Sequence, residues 1–382
     1  MLDRIKALHR EREESYIDYS LIFITLFLLA FGLIMLYSTS SYEANLDFGD
    51  SAYYFKHQLI PTLLGLGVMV FMSYFPYRIL QKFAIPVYVF AATLLFLLIP
   101  FGKKVNGARR WIVIKGISIQ PAEVVKVAVI IFTATLIIQL KKNLLNPRGF
   151  GVTLGSALIQ AGLVYKISKN LSSAIIIVGI AMVMLFVSTP GYKRYILAAV
   201  AVLGLAAVVV ILIASSEQTS GMNYRFERVL AWLDPNAHAS GKGFQTLQAL
   251  YAIGSGGVFG KGLGESMQKM GFIPEAQNDM IFSIICEELG LFGAIAVMLM
   301  FILLIWRLMI IANNAPDMFG ALLVIGVMGH IAIQVILNIA VVTNTIPNTG
   351  ITLPFISYGG SAVIVQLAEI GIALNVARNI GK

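Results

Sequence analysis

Apolar residues run along this chain in blocks of about twenty, separated by short polar stretches. A bilayer core is ~30 Å thick and takes roughly 20 helical residues to cross. On that measure the pattern predicts ten spans, at about 18–39, 57–75, 80–100, 119–140, 150–167, 171–189, 192–214, 279–311, 317–343 and 358–378. Only Lys166–Asn170 divides the fifth from the sixth, so these read as two short spans or as a broken pair dipping to the midplane. No repeat and no linker divides the chain. Residues 1–382 therefore read as one all-α polytopic membrane domain, with a tail at 1–17 and a long loop at 215–278 between the seventh and eighth helices.

Composition agrees. Of the 382 residues, 58% are hydrophobic and 12% are charged, about half the charge of an ordinary soluble domain. That excludes a soluble globule and a disordered chain. The net charge of +9 suits basic loops facing anionic lipid, so nucleic acid is not an expected partner. Cys286 stands alone, which excludes an internal disulfide, and four scattered histidines show no zinc spacing. The first apolar run reads as a span and not as a cleavable signal, because no small-residue cleavage site follows it.

Charge then sets the topology. Ten spans put both termini on one side. Arg4, Lys6, Arg10 and Arg12, with Lys141, Lys142, Lys193, Arg194 and other basic residues of the short even-numbered loops, put that side in the cytoplasm. The loop between the third and fourth spans breaks the rule, with Lys103, Lys104, Arg109, Arg110 and Lys115 on the opposite side. Basic residues placed against topology suggest an anionic ligand. Nearly all the Gly, Pro and polar irregularities also fall in odd-numbered loops, so function is expected on the extracytoplasmic face.

Four segments carry candidate chemistry. Arg109, Arg110 and Trp111 lead into Gln120-Pro121-Ala122-Glu123-Val124-Val125-Lys126, where Pro121 starts a helix and Glu123 and Lys126 share its face. Charges inside a span are costly and face a cavity or a partner. The loop 215–278 contains Phe226, Val229, Leu230 and Leu233 at helical spacing, stopped by Asp234-Pro235. A weaker repeat at Phe244, Leu247 and Tyr251 carries Gln245 and Gln248, which suit sugar contacts. The run Gly254 to Gly264 fails the phosphate-loop pattern at both ends, with Ser255 and Gly262 at its required positions, and reads as a turn series. Asp279 opens the eighth span with Glu275 four residues before it. A helix cap explains Asp279 alone, whereas two close carboxylates suit general-base work or a divalent cation. Glu287 and Glu288 lie deeper and read as structural.

Taken together, Gly107–Trp111, Gln120–Lys126, the stretch from Leu233-Asp234-Pro235 to Leu289-Gly290, and Gly350–Ser361 resemble the SEDS (shape, elongation, division, sporulation) family, the group of FtsW and RodA. Pro274-Glu275-Ala276 with Asp279, and Leu353-Pro354-Phe355 with Ser357-Tyr358-Gly359-Gly360-Ser361, are the specific pairings. The resemblance covers essentially the whole chain. It implies a ten-span peptidoglycan glycosyltransferase that polymerises lipid II on the outer membrane face into a nascent glycan strand. Implied partners are a class B penicillin-binding protein and other divisome or elongasome membrane proteins.

The resemblance also implies roles. Asp279 matches the family's essential acid, the catalytic base. Glu123, Lys126, Arg109, Arg110 and Trp111 match its polar motifs, and Ser357 lies in its last motif. On that reading Arg109, Arg110, Lys126 and Lys115 neutralise a pyrophosphate leaving group. The resemblance implies no definite cofactor, and a divalent cation (Mg2+ or Mn2+) held by Glu275 or Glu123 is a candidate. The chain departs from the family at Lys169-Asn170, where Asp is usual, at Gln277 for His and at Ala122 for Ser. Thr352 resembles the division and sporulation branches more than the elongation branch, and the reading leans to division, the FtsW type. Two rival readings remain, a lipid II flippase and a scaffold that activates a penicillin-binding protein.

Overall fold

The structure, a computed structural model, describes residues 17–105, 108–114, 117–193, 195–200, 204, 208, 210, 224–239 and 241–380. Most of the expected seventh span, the 1–16 tail, residues 215–223 and Lys115 lie outside the described residues. Among those described, nine helices are long and apolar enough to cross a membrane.

In chain order the helices are α1 (Tyr19–Phe48), α2 (Tyr53–Tyr74), the short α3 (Tyr77–Lys82) and α4 (Ala84–Phe101), followed by strands β1 (Gly102–Val105), β2 (Ala108–Ile114) and β3 (Ile117–Ile119). Then come α5 (Pro121–Leu140), α6 (Pro147–Ser168), α7 (Leu171–Ser188), α8 (Tyr224–Leu233), α9 (Lys242–Ser255), α10 (Ile281–Asn313), α11 (Met318–Val342) and α12 (Gly360–Arg378).

Several boundaries differ from expectation for identifiable reasons. α1 runs nine residues past 39, through the polar Ser40–Asp47 stretch, until Gly49 takes a left-handed cap (φ 68°). The fifth and sixth spans are two full helices, parted by Lys169 in the left-handed region and by Asn170. The Asn170 side chain caps α7 by accepting from Ser173 N at 3.0 Å. The position where the family has an acid is therefore a helix cap here. The basic loop after the third span is an antiparallel sheet in the order β1-β2-β3.

α5, α11 and α12 form the centre. Two-thirds of the most apolar stretch of α12 is buried, against 22% for α2 and α4, whose other faces are left for lipid. α12 lies closely on α2 because Gly65 and Gly371 let the backbones approach. A Cβ on Gly65 would come within 2.7 Å of Leu367 Cδ1.

Two ends of the bundle are distinct. At one, Arg307 pairs with Asp18 at 2.8 Å, and Asp317 accepts from Arg78 Nε at 2.9 Å and Tyr77 Oη at 2.7 Å. Asp18 and Asp317 also cap α1 and α11, so these charges serve the helix ends. At the other end the irregular segments meet: Ser172 Oγ donates to Thr349 O, Ser361 Oγ to Ser118 O, and Tyr358 N to Gln277 O.

Candidate active site

Asp279 sits in the turn before α10. It is not the helix cap, because Met280 holds that position and no side chain caps this end. Its main-chain oxygen accepts from Asn338 Nδ2 at 2.8 Å, and the same nitrogen donates to Ile351 O at 2.7 Å. A Cβ on Gly350 would lie 3.8 Å from Asp279 Oδ2, in ordinary contact, and it is the φ of 69° that calls for glycine there. Burial is the main influence on this carboxyl and raises it. Its own backbone N–H opposes that rise, Glu275 adds to it, and the field of Arg228 opposes it, leaving the group pushed up to about 6. A carboxylate of that basicity accepts a proton near neutral pH better than an ordinary aspartate.

The surrounding segments are held under backbone strain. Four of the five non-glycine residues with positive φ among those described lie at this end: Lys169, Glu275, Asn344 and Phe355. Such conformations cost on the order of 1–3 kcal/mol each and persist where the surroundings over-determine them. Asn278 Nδ2 donates to Glu275 Oε2 at 3.0 Å, Gln245 Nε2 to Pro274 O at 3.1 Å, and Trp232 Nε1 to Asn344 O at 3.0 Å. Turns 274–280 and 344–353 are thus tied to α8, α9 and α11. Gln248 lies one turn along α9 from Gln245. Ser357 braces its own loop, accepting from Leu353 N at 2.8 Å.

Glu123 and Lys126 pair at 2.9 Å, and both are buried. Lys126 Nζ also donates to Gln334 Oε1 at 3.2 Å. Gln334 Oε1 lies 2.9 Å from His330 Nε2, and His330 Nδ1 lies 2.8 Å from Glu369 Oε2. The amide nitrogen of Gln334 donates to Thr352 O at 3.0 Å. A buried chain therefore runs from Glu123 on α5 through Lys126, Gln334 and His330 to Glu369 on α12, with a branch to the loop beside Asp279. Burial and pairing turn the Lys126 ammonium towards Glu123 and Gln334.

His330, Gln334, Asn338 and Glu369 were not singled out in the sequence. The signal was present: His330, Gln334 and Asn338 recur every four residues and share one face of a membrane helix. Arg228, which bears on Asp279, was also passed over within an amphipathic helix.

The sheet alternates in facing. Ala108 and Ile112 are buried, with Arg110 between them on the same face, while Arg109 and Val113 are exposed on the other. Lys103 pairs with Trp111 across the β1–β2 ladder. Arg109 Nη1 donates to Ile99 O, and Gln120 N donates to Ser361 Oγ at 3.1 Å. The basic sheet is in this way joined to the start of α12.

The glycine run is closely packed. Lys261 N and Gly262 N donate to Glu287 O and Glu288 O at 3.0 and 2.9 Å, so these N–H groups are not offered to a phosphate. Glu287 accepts from Lys261 Nζ at 2.6 Å and from Ser266, and Glu288 from Ser38 Oγ and Lys269 Nζ at 2.7 Å each, which makes both carboxylates structural. For a divalent cation the donor set fits poorly. The Glu123 carboxylate is taken by Lys126, and no group of three His, Cys, Asp or Glu suited to a metal occurs among the described residues.

A family model described as cell cycle protein, covering FtsW, RodA and SpoVE, matches residues 19–381. Stage V sporulation protein E of Bacillus subtilis (strain 168) is 40% identical over 366 residues, covering 94% of this chain and 97% of that protein. A probable peptidoglycan glycosyltransferase FtsW of Trichlorobacter lovleyi is 37% identical, covering 94% and 93%. Among solved structures, a chain from work on structural coordination of polymerization and crosslinking by a peptidoglycan synthase complex aligns with a TM-score of 0.79 at 26% identity, covering 96% of this chain and 99% of that one. The rod shape determining protein RodA of Thermus thermophilus aligns at 0.68 and 24% identity, over 96% and 98%, a likeness of fold.

Proposed function

Since the chain belongs to the FtsW/RodA/SpoVE family of cell cycle proteins, we propose that it is a peptidoglycan glycosyltransferase of the multi-pass membrane type, leaning to the FtsW and SpoVE branches. Its substrate on this reading is lipid II. The site faces the outer side, both termini are cytoplasmic, and a class B penicillin-binding protein is the partner that crosslinks the product.

The carrying observation is Asp279, a raised carboxyl that caps no helix and sits where the 274–280 and 344–353 turns meet. Asp279 takes the proton from the 4-hydroxyl of an acceptor N-acetylglucosamine. The freed oxygen attacks C1 of the N-acetylmuramic acid that ends the growing strand. The bond to undecaprenyl pyrophosphate breaks, and its electron pair leaves with the pyrophosphate. One displacement inverts the centre from α to β without a covalent enzyme intermediate. Arg109 and Arg110 supply positive charge where the leaving group gains negative charge.

The buried chain from Glu123 to Glu369 is the one observation that leans towards translocation of lipid II, because it carries charge to the middle of α11 and α12. Its members are paired with one another, and His330 and Glu369 are 0% exposed, which suits a strut better than a passage. Incubating the purified chain with lipid II, alone and with its transpeptidase, separates the readings. Polymer that disappears in Asp279→Ala supports the enzyme. Polymer retained by that variant removes Asp279 as the base, and translocation without polymer supports the flippase.

A further inference from the structure

Beside Asp279 lies a cavity of about 200 Å3 between the start of α9, the end of α8 and the 274 and 348 turns. Its walls include the rings of Trp232 and Phe244, the amides of Gln245 and Asn348, the hydroxyl-bearing Thr246 and the guanidinium of Arg228. No carboxylate lines it. We propose that this cavity is the acceptor-sugar subsite, which seats one N-acetylhexosamine ring close to the turns that hold Asp279. The proposal rests on the glycosyltransferase reading above.

Three observations support it. First, the walls are fixed without an occupant. Trp232 Nε1 donates to Asn344 O at 3.0 Å and Asn344 Nδ2 returns a bond to Trp232 O at 3.3 Å. Gln245 accepts from Asn348 Nδ2 at 3.1 Å while donating to Pro274 O, and Arg228 Nη1 donates to Asn348 O at 3.0 Å. A preformed site spares a ligand the cost of ordering the side chains that meet it. Each primary amide has two N–H groups, so the frame uses one from Gln245 and one from Asn348 and leaves a second of each for a ligand.

Second, the lining matches a pyranose. A sugar ring has an apolar C–H face that lies on an aromatic ring, and a rim of hydroxyl and acetamido groups that pair with amides. A lipid tail would call for apolar walls throughout, and a diphosphate for several cations instead of aromatic faces. The volume also limits the occupant. Pockets for drug-sized ligands run to roughly 300–1,000 Å3, so about 200 Å3 admits one ring and not a disaccharide.

Third, two residues of the cavity wall are linked to the carboxylate. Arg228 lines the cavity and acts on Asp279. Asn348 Oδ1 accepts from Gly350 N at 3.0 Å, and Gly350 is the residue that faces Asp279 Oδ2. A ring held here lies two residues, Asn348 and Gly350, away from the Asp279 carboxylate.

The test is saturation-transfer NMR on the full chain in detergent, with soluble N-acetylglucosaminyl-N-acetylmuramic acid as the probe. The Asp279→Asn form is used so that binding is read without turnover. The N-acetylglucosamine ring is expected to show the stronger transfer. Phe244→Ala and the volume-conserving Thr246→Val should each weaken binding roughly tenfold, and should raise the KM for lipid II more than they lower kcat. Unchanged affinity in both variants, or displacement of the probe by inorganic pyrophosphate, overturns the subsite. Loss confined to a variant with a lowered thermal midpoint counts against it. Sugar binding with no polymer from wild-type protein overturns the glycosyltransferase reading, and with it the acceptor role, and leaves only a sugar-binding cavity. Polymer with no sugar binding overturns the subsite and leaves the glycosyltransferase reading standing.

Discussion

Asn338 donates from a single nitrogen to the main-chain oxygens of both Asp279 and Ile351, at 2.8 and 2.7 Å. One membrane-helix side chain thus sets the spacing between the turn that carries Asp279 and the loop that flanks it. Its Oδ1 has no partner and is buried, a cost that a purely structural position would be expected to shed. Asn338→Ala removes the donor and leaves two carbonyls to drift. The loss of ~1–3 kcal/mol of positioning corresponds to a fall in kcat of about 5- to 150-fold. The KM for lipid II should change little. Steady-state polymerisation with a parallel thermal melt checks this, and an equal loss in KM and kcat would assign Asn338 to substrate binding.

The raised carboxyl of Asp279 gives a pH dependence with a definite sign. Its ordinary value of 3.8 moves to about 6 in the fold, so the folded chain holds this proton more tightly. Stability is therefore lost as pH rises through that window, by up to about 3 kcal/mol for the shift of 2.2 units (6 − 3.8) at ~1.36 kcal/mol per unit. Asp279→Asn should melt higher than the parent at pH 7.5 and match it near pH 3.5, while making no polymer. The parent's kcat should rise with pH through about 6. A flat rate profile would mean that another group takes the proton.

The sequence and the structure agree most closely where one periodic signal decides the outcome. Runs of twenty apolar residues located the spans, and Asp279 lies, as expected, just before an apolar helix. What stayed hidden depended on pairing across the chain. Residue 338 contacts 279 and 351, and 330 contacts 369, and no window of sequence contains such contacts. Ser38 and Lys269 meeting at Glu288 is a further case. The β1–β3 sheet was missed because Lys103–Ile119 mixes bulky β-formers with charge and lacks the clean alternation that marks a strand. The Glu123–Lys126 spacing was legible, but its burial was not, and burial is what turned Lys126 from an anion ligand into part of a strut.

That strut makes a prediction about pairs. Removing one partner of a buried ion pair leaves the other charge without compensation and costs ~3–5 kcal/mol, whereas replacing both with apolar groups of similar size is often neutral. Lys126→Met alone should therefore destabilise the chain strongly, and Lys126→Met with Glu123→Leu should recover most of the loss. Activity should not recover in parallel, because Gln334 loses its Lys126 partner in both variants and Thr352 is held through Gln334. Thermal midpoints and polymerisation rates for the two single variants and the double variant form the cycle. Full recovery of activity in the double variant would reduce the pair to a neutralised burial.

The packing of the glycine run predicts which glycines cannot be replaced. Gly290 adopts φ 66° and ψ −165° inside α10, a region open essentially to glycine alone. A Cβ there would meet the backbone at Gly260 N and Val258 O. The same junction holds four backbone hydrogen bonds, from Lys261 N to Glu287 O, Gly262 N to Glu288 O, Leu291 N to Gly257 O and Phe292 N to Val258 O, at 2.9 to 3.1 Å. Gly290→Ala must break part of this set as well as strain its own backbone, at ~1–3 kcal/mol for the strain alone. Gly254 provides the contrast. It lies in α9 with nothing within 4 Å of its added Cβ, so Gly254→Ala should be neutral or stabilise by roughly 0.5–1 kcal/mol. Melting curves of the two variants in the same detergent decide the matter, and similar midpoints would show that the run is a flexible turn and not a docked one.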